Sequence, residues 1–276
     1  MTDGEWYTKI CQPRTLSQTS DIEAYLTSDT IAISQKFDGK RLMIIIDDND
    51  IIGISRSGDK TNVPEHLQLA FSKIQPKWVF DGELVGNTYH VFDLIHYPGG
   101  PLISQQWTVR QDLLKTVMKD FHPDIKVVQQ AFGFVKDTFY ETIRDSNAEG
   151  IVIVNITGTY IPGKRNNNIG KYKFTNDIDC IVTDVGIDGK DNMSLGLYNQ
   201  DNELVDIGKI STLTGDGKKI KFSIGDVVAV TFLYVTKSYR LYQPVKPRLR
   251  SDKRAEECRI EQLNQFIANK EIVIEV

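Results

Sequence analysis

The feature that most constrains the fold is a change in hydrophobic pattern near Phe174. Before this residue, short apolar runs of strand length alternate with segments whose apolar residues recur at helical spacing. After it, only short apolar runs remain, separated by Gly, Asp and Asn: "DCIVTDVGI", "SLGLYN", "ELVDIGKI", "DVVAVTFLYVT" and "LYQPVKPRL". We therefore predict an α+β domain over residues 1–176, followed by an all-β domain over residues 177–276.

Local patterns define the elements of the first domain. "TIAIS" and the β-branched run "EGIVIVN" are typical of buried strands. "RLMIIID" and "IIGISRS" flank an Asp-rich turn, and "KWVFDGELVG" and "YHVFDLIHY" flank the turn "NT", so each pair predicts a hairpin. Helices are predicted at "VPEHLQLAFSKI", "VRQDLLKTVMKDF" and "DTFYETIRDS". In the second domain, about five strands fit a small barrel of the OB-fold type, although strand count alone does not distinguish it from a sandwich.

Composition excludes several classes of protein. With 40% hydrophobic and 25% charged residues, the 276-residue chain has the composition of a soluble globular protein. Its three cysteines are far apart, which indicates neither a disulfide framework nor a zinc site. The sequence has no signal-peptide pattern and no apolar stretch of membrane-spanning length, so we expect a cytoplasmic protein. A net charge of -4 argues against coating nucleic acid by bulk charge, yet residues 237–254 are strongly basic.

Seven short motifs follow one another along the chain. They are "KFDGKR" (36–41), "SRSG" (55–58), "FDGELVG" (80–86), "VFDL" (91–94), "AEGIVI" (148–153), "GKYKF" (170–174) and "RLRSDK" (248–253). A single one of these motifs is explained by chance or by a solvated surface segment. Seven of them in this order are not explained by chance. The set resembles the covalent nucleotidyltransferase superfamily, and most of all the small ATP-dependent DNA ligases. The resemblance implies a nucleotidyltransferase (adenylation) domain of antiparallel sheets with flanking helices, followed by an OB-fold domain.

The resemblance also implies a chemistry. Joining a 5'-phosphate to a 3'-hydroxyl needs a good leaving group, and an enzyme can supply AMP by first holding it on a nucleophile. In the family this nucleophile is the lysine matching Lys36, which takes AMP from ATP. An ammonium cannot attack, so Lys36 must first lose its proton, which nearby cations favour.

The resemblance also implies roles for individual residues beyond Lys36. Asp38 and Glu149 match the carboxylates that help hold Mg²⁺ (or Mn²⁺), a cation that keeps room for phosphate oxygens. Arg41 matches a residue that binds both AMP and the nick 5'-phosphate, and Arg56 matches a DNA contact. Phe92 would stack on the adenine. The remaining nucleotide-site candidates are Glu83, Arg165, Lys171, Lys173, Arg250, Asp252 and Lys253.

Other readings of the same motifs stay open. An RNA ligase or an mRNA-capping guanylyltransferase shares the lysine motif, although the capping enzymes usually carry Trp-Lys-Pro where this chain has "KYKF". A non-catalytic nucleic-acid-binding protein would be expected to lose the lysine or the carboxylates, and none is lost. The expected partner is nicked duplex DNA, bound by a monomer in a bacterial or virus-infected cell.

The sequence departs from the family pattern in three places. The position two before the lysine, often acidic in relatives, is Ser34, which leaves the purine contact open. The chain ahead of Lys36 is too short for a helical DNA-binding domain, and the span between "SLGLYN" and "DVVAV" is too short for a long DNA-encircling hairpin. We expect the basic stretch 237–254 to supply part of the missing phosphate contacts.

Overall fold

The structure is a computed structural model that describes residues 9–16, 19–48, 50–146, 148–213 and 217–267. The chain divides into two compact units. The first comprises the described residues up to Ile143 together with Gly150–Tyr172, and the second comprises Arg144–Glu149 together with the described residues from Lys173 onward. No described helix combines the length and the hydropathy needed to cross a bilayer.

The first part of the chain, up to Lys173, alternates strands and helices as expected. In chain order its elements are β1 (Gln12–Thr15), α1 (Thr19–Thr27), β2 (Ile31–Gln35), β3 (Lys40–Ile46), β4 (Ile51–Ser55), β5 (Lys60–Thr61), α2 (Glu65–Phe71), β6 (Trp78–Val85), β7 (Thr88–Tyr97), β8 (Gly100–Pro101), α3 (Trp107–Met118), β9 (Ile125–Val127), β10 (Gln130–Phe132), α4 (Lys136–Asp145), β11 (Gly150–Asn155) and β12 (Arg165–Lys173).

Two sheets organise the first unit. One has the strand order β1-β12-β11-β2-β10, and the other has the order β5-β4-β3-β6-β7-β8 with β9 paired to β7. Both predicted hairpins are confirmed, because β3 pairs with β4 and β6 with β7 in antiparallel register. The sheet built on β3 and β6 packs a core that includes Leu67, Phe71, Phe80 and Leu114 from its strands and from α2 and α3.

Two pairings differ from the antiparallel sheets that the resemblance implied. Strand β1 pairs with β12 in parallel, and β7 pairs with β9 in parallel. Strands β1 and β9 are four and three residues long and carry little hydrophobic alternation, so the sequence pattern gave no sign of them. The overall class remains a mixed, sheet-rich fold.

Helix α3 begins two residues before the predicted start at Val109, whose side chain is 46% exposed. Its buried face consists of Trp107, Arg110, Gln111, Leu114 and Met118. These positions recur at helical spacing, but two of the five are polar. The helix therefore buries an arginine and a glutamine side chain beside apolar ones, and both contribute to the site described below.

The second unit contains a five-stranded antiparallel sheet. Its strands are β13 (Asn176–Val185), β14 (Asn192–Tyr198), β15 (Leu204–Ser211), β16 (Val227–Phe232) and β17 (Val245–Leu249), in the order β15-β14-β13-β16-β17. The expected five strands are thus present. Their inward side chains form a separate core that includes Val182, Leu195, Val228 and Phe232.

Candidate active site

Lys36 follows directly on the end of β2 and opens the loop that leads to β3. Its backbone N–H donates to the Gly150 carbonyl (2.8 Å), which ties the loop to the start of β11. Its Nζ donates to the Phe37 carbonyl at 3.3 Å. The loop needs a glycine at position 39, because a Cβ there would lie 2.4 Å from the Leu84 carbonyl oxygen. The backbone of the lysine loop is therefore pressed against β6.

An aromatic stack holds the middle of this loop. The ring of Phe37 lies on that of His90, with centroids 3.9 Å apart and planes 20° apart. His90 stands on β7 opposite Glu83 on β6. Burial, with a smaller contribution from the charge of Lys126, lowers the pKa of His90 to about 4. At neutral pH the loop thus rests on an uncharged imidazole.

Arg41 is fixed by a buried carboxylate. Its Nε and Nη2 each lie 2.7 Å from the two oxygens of Asp81, which is fully buried. Burial alone would lower the pKa of Arg41, but the adjacent Asp81 outweighs it and raises that pKa above its ordinary value. The guanidinium also lies over the Phe92 ring, 4.4 Å from its centroid.

Tyr160 completes the surroundings of Asp81. Its hydroxyl donates to Asp81 Oδ2 (3.1 Å) and accepts from the backbone N–H of Cys11 (2.9 Å). Burial, together with the charge of Asp81, raises the pKa of this phenol well above its ordinary value. The buried Asp81 carboxylate therefore accepts from one neutral donor, the Tyr160 hydroxyl, and one cationic donor, the Arg41 guanidinium.

A second buried ion pair lies at the next strand. Asp93 on β7 accepts from Arg110 Nε and Nη2, each at 2.8 Å. Arg110 Nη1 donates to the carbonyls of Gln105 (2.8 Å) and Gly158 (3.3 Å). Burial lowers the pKa of Arg110, but Asp93 outweighs it, so the net shift is upward. The pair anchors α3 to β7.

Most of these side chains, although not His90 or Arg110, line one pocket of about 200 Å³ in the first unit. Its walls come from both sheets and from the start of α3. Val128, Val152, Val154, Ile169 and Trp107 supply apolar surface. The polar lining includes Lys36, Arg41, Arg56, Asp81, Glu83, Asp93, Gln130 and Lys171.

The structure brings together many of the predicted site residues. Lys36, Arg41, Arg56, Glu83, Phe92 and Lys171 all line the pocket. Asp38 is exposed in the lysine loop, and Arg165 is exposed at the start of β12, so neither is among the lining residues. Their predicted roles stay predictions.

The other predicted residues belong to the second unit. Lys173 Nζ lies 2.8 Å from Glu149 Oε1, and Glu149 is buried. Arg250 bridges two carboxylates, with Nη1 2.8 Å from Asp179 and Nη2 2.8 Å from Asp252. Hydrogen bonding from Arg250 lowers the pKa of Asp252 to about 2. Lys253 Nζ lies 3.4 Å from Glu257.

Within the described ranges, no three His, Cys, Asp or Glu side chains cluster closely enough to hold a metal ion by themselves. Asp38 and Glu149 are oxygen donors of the kind that Mg²⁺ prefers. Magnesium commonly uses one or two protein carboxylates and completes its shell with water and substrate phosphate. Each of these carboxylates therefore has the chemistry to ligate a metal that arrives with a phosphorylated substrate.

Sequence reasoning missed several residues of the site. Asp81 lies inside the "FDGELVG" motif and Arg110 inside a segment predicted as helix, but neither was assigned a role. Tyr160, His90 and Gln130 lie outside the quoted motifs. The helical spacing of Arg110 with Trp107 and Leu114 carried a usable signal, because it places the arginine on the buried face.

Comparison with known proteins shows similarity to DNA ligases. Residues 86–173 match the family model for the ATP dependent DNA ligase domain. A DNA ligase from Methanothrix thermoacetophila is 25% identical over 238 residues, which cover 69% of this chain and 42% of that protein. DNA ligase C1 from Mycolicibacterium smegmatis is 24% identical over 222 residues, which cover 65% of this chain and 62% of that protein. The chain thus spans about half the length of these relatives.

Solved structures show the same fold. A Lig E DNA ligase, studied for DNA binding with a minimal scaffold, gives a TM-score of 0.61 at 20% identity, over 87% of this chain and 100% of that chain. Mycobacterial DNA ligase D complexed with ATP and MES gives a TM-score of 0.56 at 18% identity, over 92% of this chain and 99% of that chain. The mixed, sheet-rich nucleotidyltransferase-like fold is therefore confirmed, and the chain is similar in sequence to ATP-dependent DNA ligases over part of its length.

Proposed function

We propose that this chain is an ATP-dependent DNA ligase that seals nicks in duplex DNA through a lysyl-AMP intermediate. The observation that carries the proposal is the position of Lys36. A lysine in a glycine-dependent loop lines a pocket together with Arg41, Glu83, Phe92 and Lys171. The same chain matches the ATP dependent DNA ligase domain over residues 86–173.

The reaction begins with ATP. The Lys36 amine, having lost a proton, attacks the α-phosphorus; a P–N bond forms and the P–O bond to pyrophosphate breaks. A 5'-phosphate oxygen of the nick then attacks the same phosphorus and releases Lys36, which joins AMP to the DNA. Finally the 3'-hydroxyl attacks the 5'-phosphorus, AMP leaves and the strand is continuous. Lys171 lines the same pocket and can neutralise charge on the α-phosphate.

The pocket size suggests how a nucleotide enters it. Typical small-molecule sites occupy roughly 300–1,000 Å³, and this pocket is smaller, at about 200 Å³. A pocket of this size suits a purine base better than a whole nucleotide, so we place the base inside it and the phosphates toward Lys36. Because the Arg41 guanidinium lies over Phe92, stacking of adenine on that ring requires the other ring face or a shift of Arg41.

Magnesium, when bound with ATP, neutralises phosphate charge. Asp38 and Glu149 are the residues we assign to it. Glu149 is ion-paired to Lys173, so a cation that binds Glu149 has to share this carboxylate with the Lys173 ammonium or displace it. Arg165 and Lys173 are assigned to the nucleotide phosphates, and Arg56 to the DNA strand.

We assign the domains as 1–176 for adenylation and 177–276 for an OB-fold. The five-stranded antiparallel sheet of the second unit supports the latter. There, Arg250, Asp252 and Lys253 serve to orient the leaving pyrophosphate. The ion pairs of Arg250 with Asp179 and Asp252 support this role, since they hold the guanidinium in a defined direction. The substrate is nicked duplex DNA, and the enzyme acts as a cytoplasmic monomer.

The proposal is tested by intact mass after incubation with ATP and Mg²⁺. Wild-type protein should gain one AMP, and Lys36→Ala should gain none while keeping its fold. Lys40→Ala is the matched control, because Lys40 is an exposed lysine only four residues away, and it should gain AMP normally. A GMP adduct formed from GTP instead would assign the chain to the capping guanylyltransferases. No adduct with either nucleotide would support a non-catalytic binding protein, and sealing of nicked RNA alone would support an RNA ligase.

A further inference from the structure

One residue of the pocket carries a buried polar atom that no described group hydrogen-bonds. Gln130 on β10 lines the pocket, and its Oε1 is buried without a hydrogen-bond partner among the described residues. Buried side-chain acceptors are nearly always satisfied, so an unsatisfied one beside a pocket points to a ligand that supplies the donor. Gln130 also stands opposite Ser34 on β2, two residues before Lys36.

A chain of hydrogen bonds fixes which end of the Gln130 amide is left over. The Phe92 carbonyl can only accept, and Gln111 Nε2 donates to it at 2.8 Å. Gln111 must therefore turn its Oε1 away, and this oxygen accepts from Gln130 Nε2 at 2.9 Å. With its Nε2 held by Gln111, Gln130 keeps its Oε1 as a buried acceptor that no described group satisfies.

The hydrogen-bonded series from the Phe92 carbonyl through Gln111 to Gln130 is held in place by the burial of Gln111. Gln111 is on the buried face of α3 and is 2% exposed. Turning its amide around would place an NH₂ group against the Gln130 NH₂ and an oxygen against the Phe92 carbonyl, which loses both hydrogen bonds. A backbone carbonyl thus sets the polarity of the pocket wall through two side chains.

We propose that Gln130 Oε1 accepts a hydrogen bond from the 6-amino group of adenine and makes the site selective for ATP over 6-oxo purine nucleotides. The 6-amino group is a donor, whereas the oxygen at this position in guanine or hypoxanthine is an acceptor and would face another acceptor. This assignment deepens the proposed ligase function and rests on it. It makes Gln130 a specificity residue, with Gln111 as its positioning residue.

The test compares three triphosphates in the formation of the covalent nucleotide adduct. ATP carries the 6-amino group, purine riboside triphosphate lacks it, and inosine triphosphate has oxygen there. With wild-type protein we expect the rate at subsaturating nucleotide to fall about tenfold or more without the amino group, and further with the 6-oxo group, because a site built to hydrogen-bond a substrate group rejects analogues that lack it.

Gln130→Met should lower the rate with ATP to near that with purine riboside triphosphate, so that the ratio of the two rates approaches one. Gln111→Met provides a second variant that leaves Gln130 in place. It frees the Gln130 amide to rotate, and the preference for ATP over inosine triphosphate should fall. Gln68→Met is the matched control: Gln68 lies on α2 and bonds the Val63 carbonyl, so this change should leave both ratios unaltered.

Unchanged ratios in Gln130→Met would overturn the proposal. If Gln130→Met does not fold, an unchanged preference in Gln111→Met overturns it instead. The outcome is distinct from failure of the proposed function. A wild-type protein that takes up no AMP refutes the ligase assignment, whereas normal AMP uptake with ratios insensitive to both variants refutes only the role of Gln130.

Discussion

Replacing Arg110 by methionine should destabilise the first unit strongly. Arg110 is 1% exposed and makes two hydrogen bonds to Asp93 and two to backbone carbonyls. Methionine keeps the apolar stem but leaves the Asp93 carboxylate buried without its cation. Removing one partner of a buried pair typically costs about 3–5 kcal/mol. At roughly 2–4 °C per kcal/mol for a unit of this size, the melting temperature should fall by roughly 6–20 °C.

The assay can be restricted to the unit concerned. Trp78 and Trp107 lie in the first unit, and the sequence has no tryptophan after Trp107, so tryptophan fluorescence does not report on the second unit during urea or thermal unfolding. Lys115→Met is the matched control, because Lys115 is an exposed residue of the same helix, and surface changes usually stay within about 0.5 kcal/mol.

A double variant separates the charge from the packing. In Asp93→Leu with Arg110→Met, no uncompensated charge remains, and apolar replacements of buried ion pairs are often close to neutral. We expect most of the lost stability to return. The reasoning fails if Arg110→Met costs less than about 1 kcal/mol, or if the double variant is less stable than the single one.

Three further perturbations follow from the site. The pKa of His90 is near 4 in the folded protein and near 6.5 when unfolded, so its contribution to stability is complete above pH 6.5 and is lost as pH falls toward 4. His90→Phe preserves stacking on Phe37 and should show a smaller loss of unfolding free energy over this range; parallel pH curves would contradict this. Glu149→Ala should lose turnover that added Mg²⁺ only partly restores, and full turnover would make Glu149 a structural partner of Lys173. Lys253→Ala should fail to form enzyme-AMP from ATP yet seal a nick already carrying AMP, and equal loss of both reactions would exclude a role confined to the first step.

Much of the framework followed from the sequence because its strands are strongly patterned. The runs that became β3, β4, β6 and β7 are apolar, rich in β-branched residues and bounded by turn residues, so the hairpins were predicted correctly. Parallel pairing of β1 with β12 was missed because it depends on contacts between residues far apart in the chain. Such pairings leave no local periodicity to detect.

The polar interior was missed for a different reason. Charged and amide side chains are usually exposed, so a sequence reading places residues such as Arg110 and Gln111 on the solvent side of a helix. Helical spacing argued otherwise, since both share one face with Trp107 and Leu114. On that face each meets an acceptor of the neighbouring strand: Arg110 meets the Asp93 carboxylate, and Gln111 meets the Phe92 carbonyl.

Two neighbouring residues of β7 thus accept hydrogen bonds from two neighbouring residues of α3, and this pairing has a functional consequence. A helix anchored only by apolar packing could slide or rotate slightly at little cost, whereas two directional hydrogen-bonded contacts fix its register on the strand. Gln111 donates to the Phe92 carbonyl and accepts from Gln130, so it fixes the orientation of the Gln130 amide. Any shift of α3 would therefore also change the position of Gln130 Oε1. Arg110→Met should therefore weaken the preference for ATP over inosine triphosphate even at temperatures where the variant remains folded, although Arg110 itself is not assigned to the base.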